Sequence, residues 1–518
     1  MKSFKRVTED SKAGDSSATC RSSIVNRQSS IGLESSIVNR QSSIPRSSAA
    51  RGTVALVLSQ GCYFLFGYLA VVLLARALGP QDYAVYGVVL SVLVWLEQVG
   101  RLAIPTAAAK LIAEGNTPGR AIERATLFLN LVLYGGIFAC LWLAAPLVAS
   151  TLGIPNGAFL FRLAALDLPL FGAYTALQAV HQGHHRFLRL GGAGIVYALT
   201  KFAGVWLIIQ LGVSVERALI VNVVTTVAGV AFLLTPLSDR GELKWRKAIQ
   251  PVLRIAGPMA VYSLFLMMAG NLNLWLLQLV RPAETGMTGI YLAALNIARV
   301  PGFGLVAVAA VILPSISRAV ADEDRELVRR YIYQALRFFL LLYLPVGFAI
   351  GFLSEDVMRL AYGAKYAGGG SILALLLVSE GFNTLAAILG SVLVALGRVW
   401  RAAAIACLSI VVAIPLIIIL ALQVGAWGAA LAGVIGGPVA VALMAWRIRK
   451  EYGPLLQERT AVNALLAAAA MALTALFLAG DLPTRMVIIS AGVALYGVAL
   501  IVLREITSRD IAPFVGRR

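Results

Sequence analysis

Seven charged residues stand inside otherwise apolar stretches of this chain: Glu97, Arg101, Arg162, Asp167, Lys201, Arg299 and Glu380. A charge near the centre of a membrane helix costs roughly 2.5–3.5 kcal/mol on insertion scales, so such residues turn toward the interior of a bundle and mark sites. Arg299 lies deepest, about a dozen residues into its apolar run, beyond easy reach of an interface. A guanidinium there can grip a phosphate-type anion with two parallel hydrogen bonds. Its structural alternative is a buried ion pair. Asn296 stands three residues earlier, on the same helical face, and is placed to share the ligand. Lys201 is the second cationic candidate; its alternative is snorkelling toward the nearer membrane face.

Glu97 and Arg101 are spaced i, i+4, so they either neutralise each other or act together as a gate or sugar-contacting pair. Glu380, with Asn383 three residues on, suits a proton or cation site or an acceptor for sugar hydroxyls. Asp167 precedes Pro169, where a kink is expected. Asn271 and Asn273 break an apolar run beside Gly270 and face either a cavity or a neighbouring helix. Arg162 is expected at an interface. His181, His184 and His185 resemble a metal cluster by composition, but their loop setting beside Arg186 and Arg189 makes them interfacial residues. Three of the four cysteines lie in apolar runs and none forms a CxxC pair, so neither a disulfide framework nor a metal cluster is expected.

The elements that hold these residues follow from composition. Of 518 residues, 59% are hydrophobic and 13% charged, about half the charge of a soluble domain. Mean hydropathy is +0.83. Residues 53–505 read as successive apolar runs of membrane-crossing length, without the period-two alternation of barrel strands. Only helices then satisfy the backbone. The expected fold is an all-α membrane protein of about 14 transmembrane helices, from 53–76 and 84–106 to 461–480 and 484–503. Leu78-Gly79-Pro80, Gly153-Ile154-Pro155 and Asp481-Leu482-Pro483 punctuate tight hairpins.

Charge placement sets the orientation. With the N-terminus inside, 34 of the 44 lysines and arginines fall on the inner segments, six on the outer loops and four within spans. Positive residues accumulate on the cytoplasmic side, so both termini are expected there. The net charge of +19 is then a topology signal, and no nucleic-acid partner is expected. Residues 1–52 are rich in Ser, Arg and Gln, lack the apolar core of a secretory signal, and repeat SSIVNRQSSI at 22–31 and 35–44. They read as a disordered basic tail.

Two stretches align without a gap when Tyr86 is set against Tyr291. This points to a parallel repeat of two six-helix halves. The expected organisation is the tail (1–52), an N-terminal six-helix bundle (53–237), a cytoplasmic linker (238–256), a C-terminal six-helix bundle (257–447), and helices 13 and 14 with a cytoplasmic C-terminus (448–518).

The stretch 72–115, with its turn Leu78-Gly-Pro-x-Asp-Tyr83 and its end Ala113-Glu114-Gly115, resembles the first hairpin of Wzx-like polysaccharide transporters. These are oligosaccharide flippases of the multidrug/oligosaccharidyl-lipid/polysaccharide (MOP) exporter superfamily. Ile290–Ala319, ending Leu-Pro-Ser-Ile-Ser-Arg-Ala, is similar to that family's eighth helix. The resemblance implies two pseudo-symmetric bundles around a central cavity, opening alternately to each side of a bacterial inner membrane. It implies as substrate an anionic lipid-linked oligosaccharide carried on undecaprenyl pyrophosphate, with the pyrophosphate a fitting ligand for Arg299. It also implies membrane lipids, a polysaccharide polymerase and chain-length proteins as partners, a monomeric transporter, no cofactor and no enzymatic activity.

Three other readings fit less well. A cation-coupled multidrug exporter of the same superfamily commonly carries a buried acid in its first helix, whereas 53–75 contains no charged residue. A lipid II flippase typically has arginines in its first hairpin helix. An oligosaccharide polymerase or ligase needs a large outer loop for an acid, a base and two sugar sites; the longest here is 355–368, and no HExxH, GxSxG or P-loop is present.

Overall fold

The computed structural model describes residues 46–101, 103–114, 119–234, 245–474, 477, 480–503 and 505. The expectations for most of the tail and for part of the 238–256 linker lie outside these residues. The described elements are all helical: α1 (Arg46–Arg101), α2 (Ile104–Glu114), α3 (Gly119–Thr151), α4 (Gly157–Ala165), α5 (Asp167–Gly183), α6 (Phe187–Leu211), α7 (Val215–Leu233), α8 (Arg246–Ala269), α9 (Leu272–Val280), α10 (Thr285–Ala298), α11 (Val300–Ala321), α12 (Arg325–Phe352), α13 (Ser354–Tyr362), α14 (Gly370–Ala395), α15 (Val399–Tyr452), α16 (Glu458–Thr474) and α17 (Leu482–Val502). Among the described residues, ten helical stretches are long and apolar enough to cross a membrane. Large apolar side chains such as Leu143 and Val502 are more than 70% exposed, a surface suited to lipid rather than water. The chain is a multi-pass membrane protein.

Glycine and proline set the breaks. A straight helix as long as α1 would run to about 84 Å, far beyond the roughly 30 Å apolar layer. Gly79 interrupts it with φ 76° and ψ 170°, a conformation open to glycine alone, and Pro80 follows. Gly425 divides α15 in the same way, with φ 65° and ψ −140°. The kink expected near Pro169 falls at Leu166, between α4 and α5. The break beside Gly270 separates α8 from α9 as expected.

Four boundaries differ from the sequence expectation. The helix expected over 287–314 is interrupted at Arg299, because Pro301 brings no N–H to the ladder and its ring crowds the preceding turn. The helix expected to end near 106 breaks beyond Arg101 and restarts at Ile104, ahead of Pro105, by the same mechanism. The linker expected to run to 256 is already helical from Arg246. The outer loop 355–368 is mostly ordered, as the short helix α13 and a 3-10 turn over Ala364–Gly369.

The largest core is asymmetric along the helix axes. It takes Leu74, Tyr83 and Leu93 from α1 and Phe161, Leu168 and Leu219 from the following helices. From the later helices it takes Leu274, Tyr291, Met358, Leu373 and Ala429. All of these later residues lie toward the end of the helices that carries Gly79. At the opposite, arginine-rich end the described residues form two separate cores. One joins α2, α3 and α8 through Ala107, Ile122 and Val252. The other joins α11, α12, α14 and α15 through Ile316, Ile332, Leu393 and Ala402. Early and late helices therefore share their largest core at the Gly79 end, while at the opposite end α8 also packs on α2 and α3. α16 and α17 sit to one side, against α12, through Met471, Tyr496 and Leu341.

Candidate functional site

Five of the seven charged residues within the membrane helices fall into two clusters. The later one forms where α8/α9 and α10/α11 are both interrupted. Breaking a helix leaves carbonyls without intrahelical donors, and Arg299 answers this: its Nη2 donates to the Gly270 carbonyl at 2.6 Å and to Asn271 Oδ1 at 3.3 Å. Its Nε lies 3.7 Å from Glu380 Oε2 on α14. Asn383 Nδ2 donates to Glu380 Oε1 at 3.0 Å. The guanidinium thus straps three helices together while its side chain stays 29% exposed. Asn273 lies beside Tyr291 rather than Arg299. Asn296 donates to the Tyr83 hydroxyl at 2.9 Å and so bridges to α1.

The earlier cluster brings together four helices. Glu97 on α1 and Asp167 on α5 are both buried and near enough for the Asp167 charge to act on Glu97. Lys201 on α6 donates from Nζ to Asn222 Oδ1 on α7 at 2.9 Å, and its charge acts on both carboxyls. Lys201 therefore points into the bundle and does not snorkel out of it. Thr226 lies within reach of Asp167, yet Asp167 Oδ1 has no hydrogen-bond partner. Two carboxyls near each other and away from water repel unless a positive charge lies between them.

Arg101 stands apart. No ion pair joins it to Glu97 among the described residues, and its side chain is exposed. Three tyrosines, Tyr63, Tyr174 and Tyr197, line the same region. The rings of Tyr174 and Tyr197 stack at 5.6 Å and those of Tyr63 and Tyr197 lie 6.3 Å apart. Sequence reasoning passed over these tyrosines and Asn222, because nothing in their spacing distinguishes them from core residues.

The remaining candidates have structural partners. Arg162 lies over the Trp142 ring, 5.7 Å from its centre. His184 Nε2 is 2.5 Å from Glu123 Oε1 and His181 Nε2 bonds the Leu233 carbonyl. Among the described residues no His, Cys, Asp or Glu group is placed to hold a metal. A groove of about 620 Å³ between α1 and α3, lined by Val92, Trp95, Ile137 and Leu141 among others, carries no charged group. It offers nothing to an anion.

Residues 49–320 match the family described as polysaccharide biosynthesis protein. The chain belongs to that family. It is 24% identical over 406 residues to a probable low-salt glycan biosynthesis flippase of Haloferax volcanii, across 74% of this chain and 80% of the relative. Its fold is shared with the lipid II flippase MurJ in an inward closed conformation, at TM-score 0.68 and 16% identity, over 88% of this chain and 99% of that one. It is shared also with an inward-facing multidrug resistance MATE transporter of the MOP superfamily, at TM-score 0.63 and 18% identity, over 74% of this chain and 94% of that one.

Proposed function

We propose that the chain is a flippase that moves an undecaprenyl-pyrophosphate-linked oligosaccharide across a bacterial inner membrane by alternating access. The observation that carries this reading is the exposed guanidinium of Arg101, set beside a tyrosine-lined surface within a bundle of the polysaccharide biosynthesis family. A guanidinium inside a membrane protein fits an anionic head group, and aromatic faces with nearby carboxyls fit sugar rings and hydroxyls. Arg299 is the second anion contact; it engages the ligand by exchanging its hold on Glu380. The Glu97–Asp167 pair, with one oxygen unpartnered, holds the coupling cation or proton, alongside Lys201.

The proposed architecture has fourteen crossings in two six-helix bundles, 53–237 and 257–447, with two added helices and both ends cytoplasmic. The two glycine breaks support the count: α1 and α15 each supply two crossings. The interrupted α10–α11 pair and the shorter α16 supply the two that length alone misses. The Gly79 end then faces away from the cytoplasm, so the larger seal between early and late helices is the outer one. A polymerase and chain-length proteins are the proposed downstream partners of a monomeric transporter.

The test is export in cells whose own flippase has been deleted. Surface polysaccharide returns with the native chain and fails with R101A, while both proteins reach the membrane in equal amounts. Resistance to cationic drugs, conferred without polysaccharide export, overturns the reading in favour of the multidrug exporter.

A further inference from the structure

The seal at the Gly79 end contains an exchange of helix caps between early and late helices. Arg76 lies one turn before the Gly79 break, and its guanidinium donates from Nε to the Ala361 carbonyl at 2.6 Å and from Nη2 to the Leu360 carbonyl. These are last-turn carbonyls of α13, which ends at Tyr362 ahead of Gly363. Such carbonyls lack intrahelical donors and carry the negative end of the helix dipole, so a cation is their natural cap. The favour is returned across the same gap. Tyr366, just beyond α13, donates its hydroxyl to the Ala75 carbonyl at 2.7 Å, beside Arg76 itself.

Around this pair the contacts are close and largely aromatic. The Tyr366 ring lies 6.4 Å from Tyr83 and 5.4 Å from Tyr362. Gly289 on α10 sits so tightly on the Pro80 carbonyl that no side chain fits between them. Gly153 meets Pro282 in the same manner, with a Cβ placed there 2.6 Å from the proline ring. Arg76 itself is exposed, so its bonds to α13 are made where water competes.

We propose that Arg76 and Tyr366 form a reciprocal capping latch that holds the Gly79 end shut, and that breaking it is the event that opens the transporter on that side. A core of apolar contacts alone would re-form in many registers. Two side chains that each cap a carbonyl on the opposite partner define one closed position and let go together, because moving α13 away from α1 breaks both sets of bonds at once. The short α13 is then the moving half of the latch rather than a passive loop. The inference rests on the transport reading only in that opening serves transport; the latch geometry is independent of the substrate.

The experiment uses the full chain in cells, with its native cysteines replaced by serine and Ala293→Cys as a reporter, since Ala293 is fully buried in the sealed core. A membrane-impermeant maleimide added from outside should label the reporter about fivefold faster in R76A than in the parent, the effect of losing a contact of ordinary strength. R76K, which keeps the charge, should fall between. A second variant guards against misfolding: Arg76→Cys with Leu360→Cys, oxidised, should stop export, and reductant should restore it. Unchanged labelling in R76A, or undiminished export from the disulfide-locked form, overturns the latch. Latch behaviour in a protein that exports no polysaccharide overturns the proposed substrate and leaves the latch standing.

Discussion

Arg299 reaches across two broken helices to the Gly270 carbonyl at 2.6 Å, so a proposed anion contact also closes a gap in the backbone. Its ion pair with Glu380, at 3.7 Å, is loose enough to be exchanged for a ligand. The two roles separate by experiment. R299A leaves Glu380 and the Gly270 carbonyl without their cation and should lower thermal stability by about 2 kcal/mol, less than a fully buried pair because the side chain is partly exposed. R299A/E380Q should regain most of that stability in a melting assay and still fail to export polysaccharide. Recovery of export together with stability would make Arg299 purely structural.

Arg101 gives the opposite pattern. It is exposed and joined to no acid among the described residues, so R101A should change stability by no more than about 0.5 kcal/mol. Export should fall by a factor of roughly 10 to 100, the worth of a charge-assisted hydrogen bond to an anion. R101K should restore part of it, because an ammonium supplies the charge without the two-pronged geometry. Surface polymer measured beside membrane-inserted protein checks all three.

The carboxyl pair makes a different prediction. E97Q and D167N each remove one acid from a buried site that holds two. Both variants should fold and insert, since repulsion is relieved. Export by either should lose its response when the ion or proton gradient is collapsed, while the native chain slows sharply under the same treatment. An equal response in native and variant proteins would leave the pair without a coupling role.

A polar knot anchors the last two helices. Glu505 accepts from Asn463 Nδ2 at 2.9 Å and from Thr460 Oγ1 at 3.2 Å, and Arg337 on α12 faces it at 3.8 Å. E505A removes the carboxylate that Asn463, Thr460 and Arg337 share, at a cost of about 1–3 kcal/mol. That cost should appear locally, as easier proteolytic release of α16 and α17, with the rest of the chain intact. Proteolysis unchanged from the native protein would show that apolar contact alone docks these helices.

Much of the fold was legible because lipid imposes a simple rule: backbone polar groups must be satisfied within each segment. Apolar runs therefore mark helices, and Gly79 and Gly270 mark breaks. The interruption at Arg299 was also encoded, in Pro301 two residues on, but a long apolar run masked it. The site was harder to read. Glu97 pairs by spacing with Arg101, yet in the fold it meets Asp167, seventy residues away in sequence, while Lys201 finds Asn222. Spacing along one helix reveals neighbours on that helix only. Which faces of different helices meet is decided by their packing, and those partners became visible only in three dimensions.

The most direct test of the transport reading is leaflet transfer in vesicles containing the purified chain and an undecaprenyl-pyrophosphate-linked oligosaccharide, with loss of the sugar to an added, impermeant glycosidase as the readout. The native chain should expose the internal half of the lipid to the enzyme, and R101A should do so about 10- to 100-fold more slowly. Protection of that half in the presence of native protein, with an imposed ion gradient and either polarity of insertion, would contradict the transport reading.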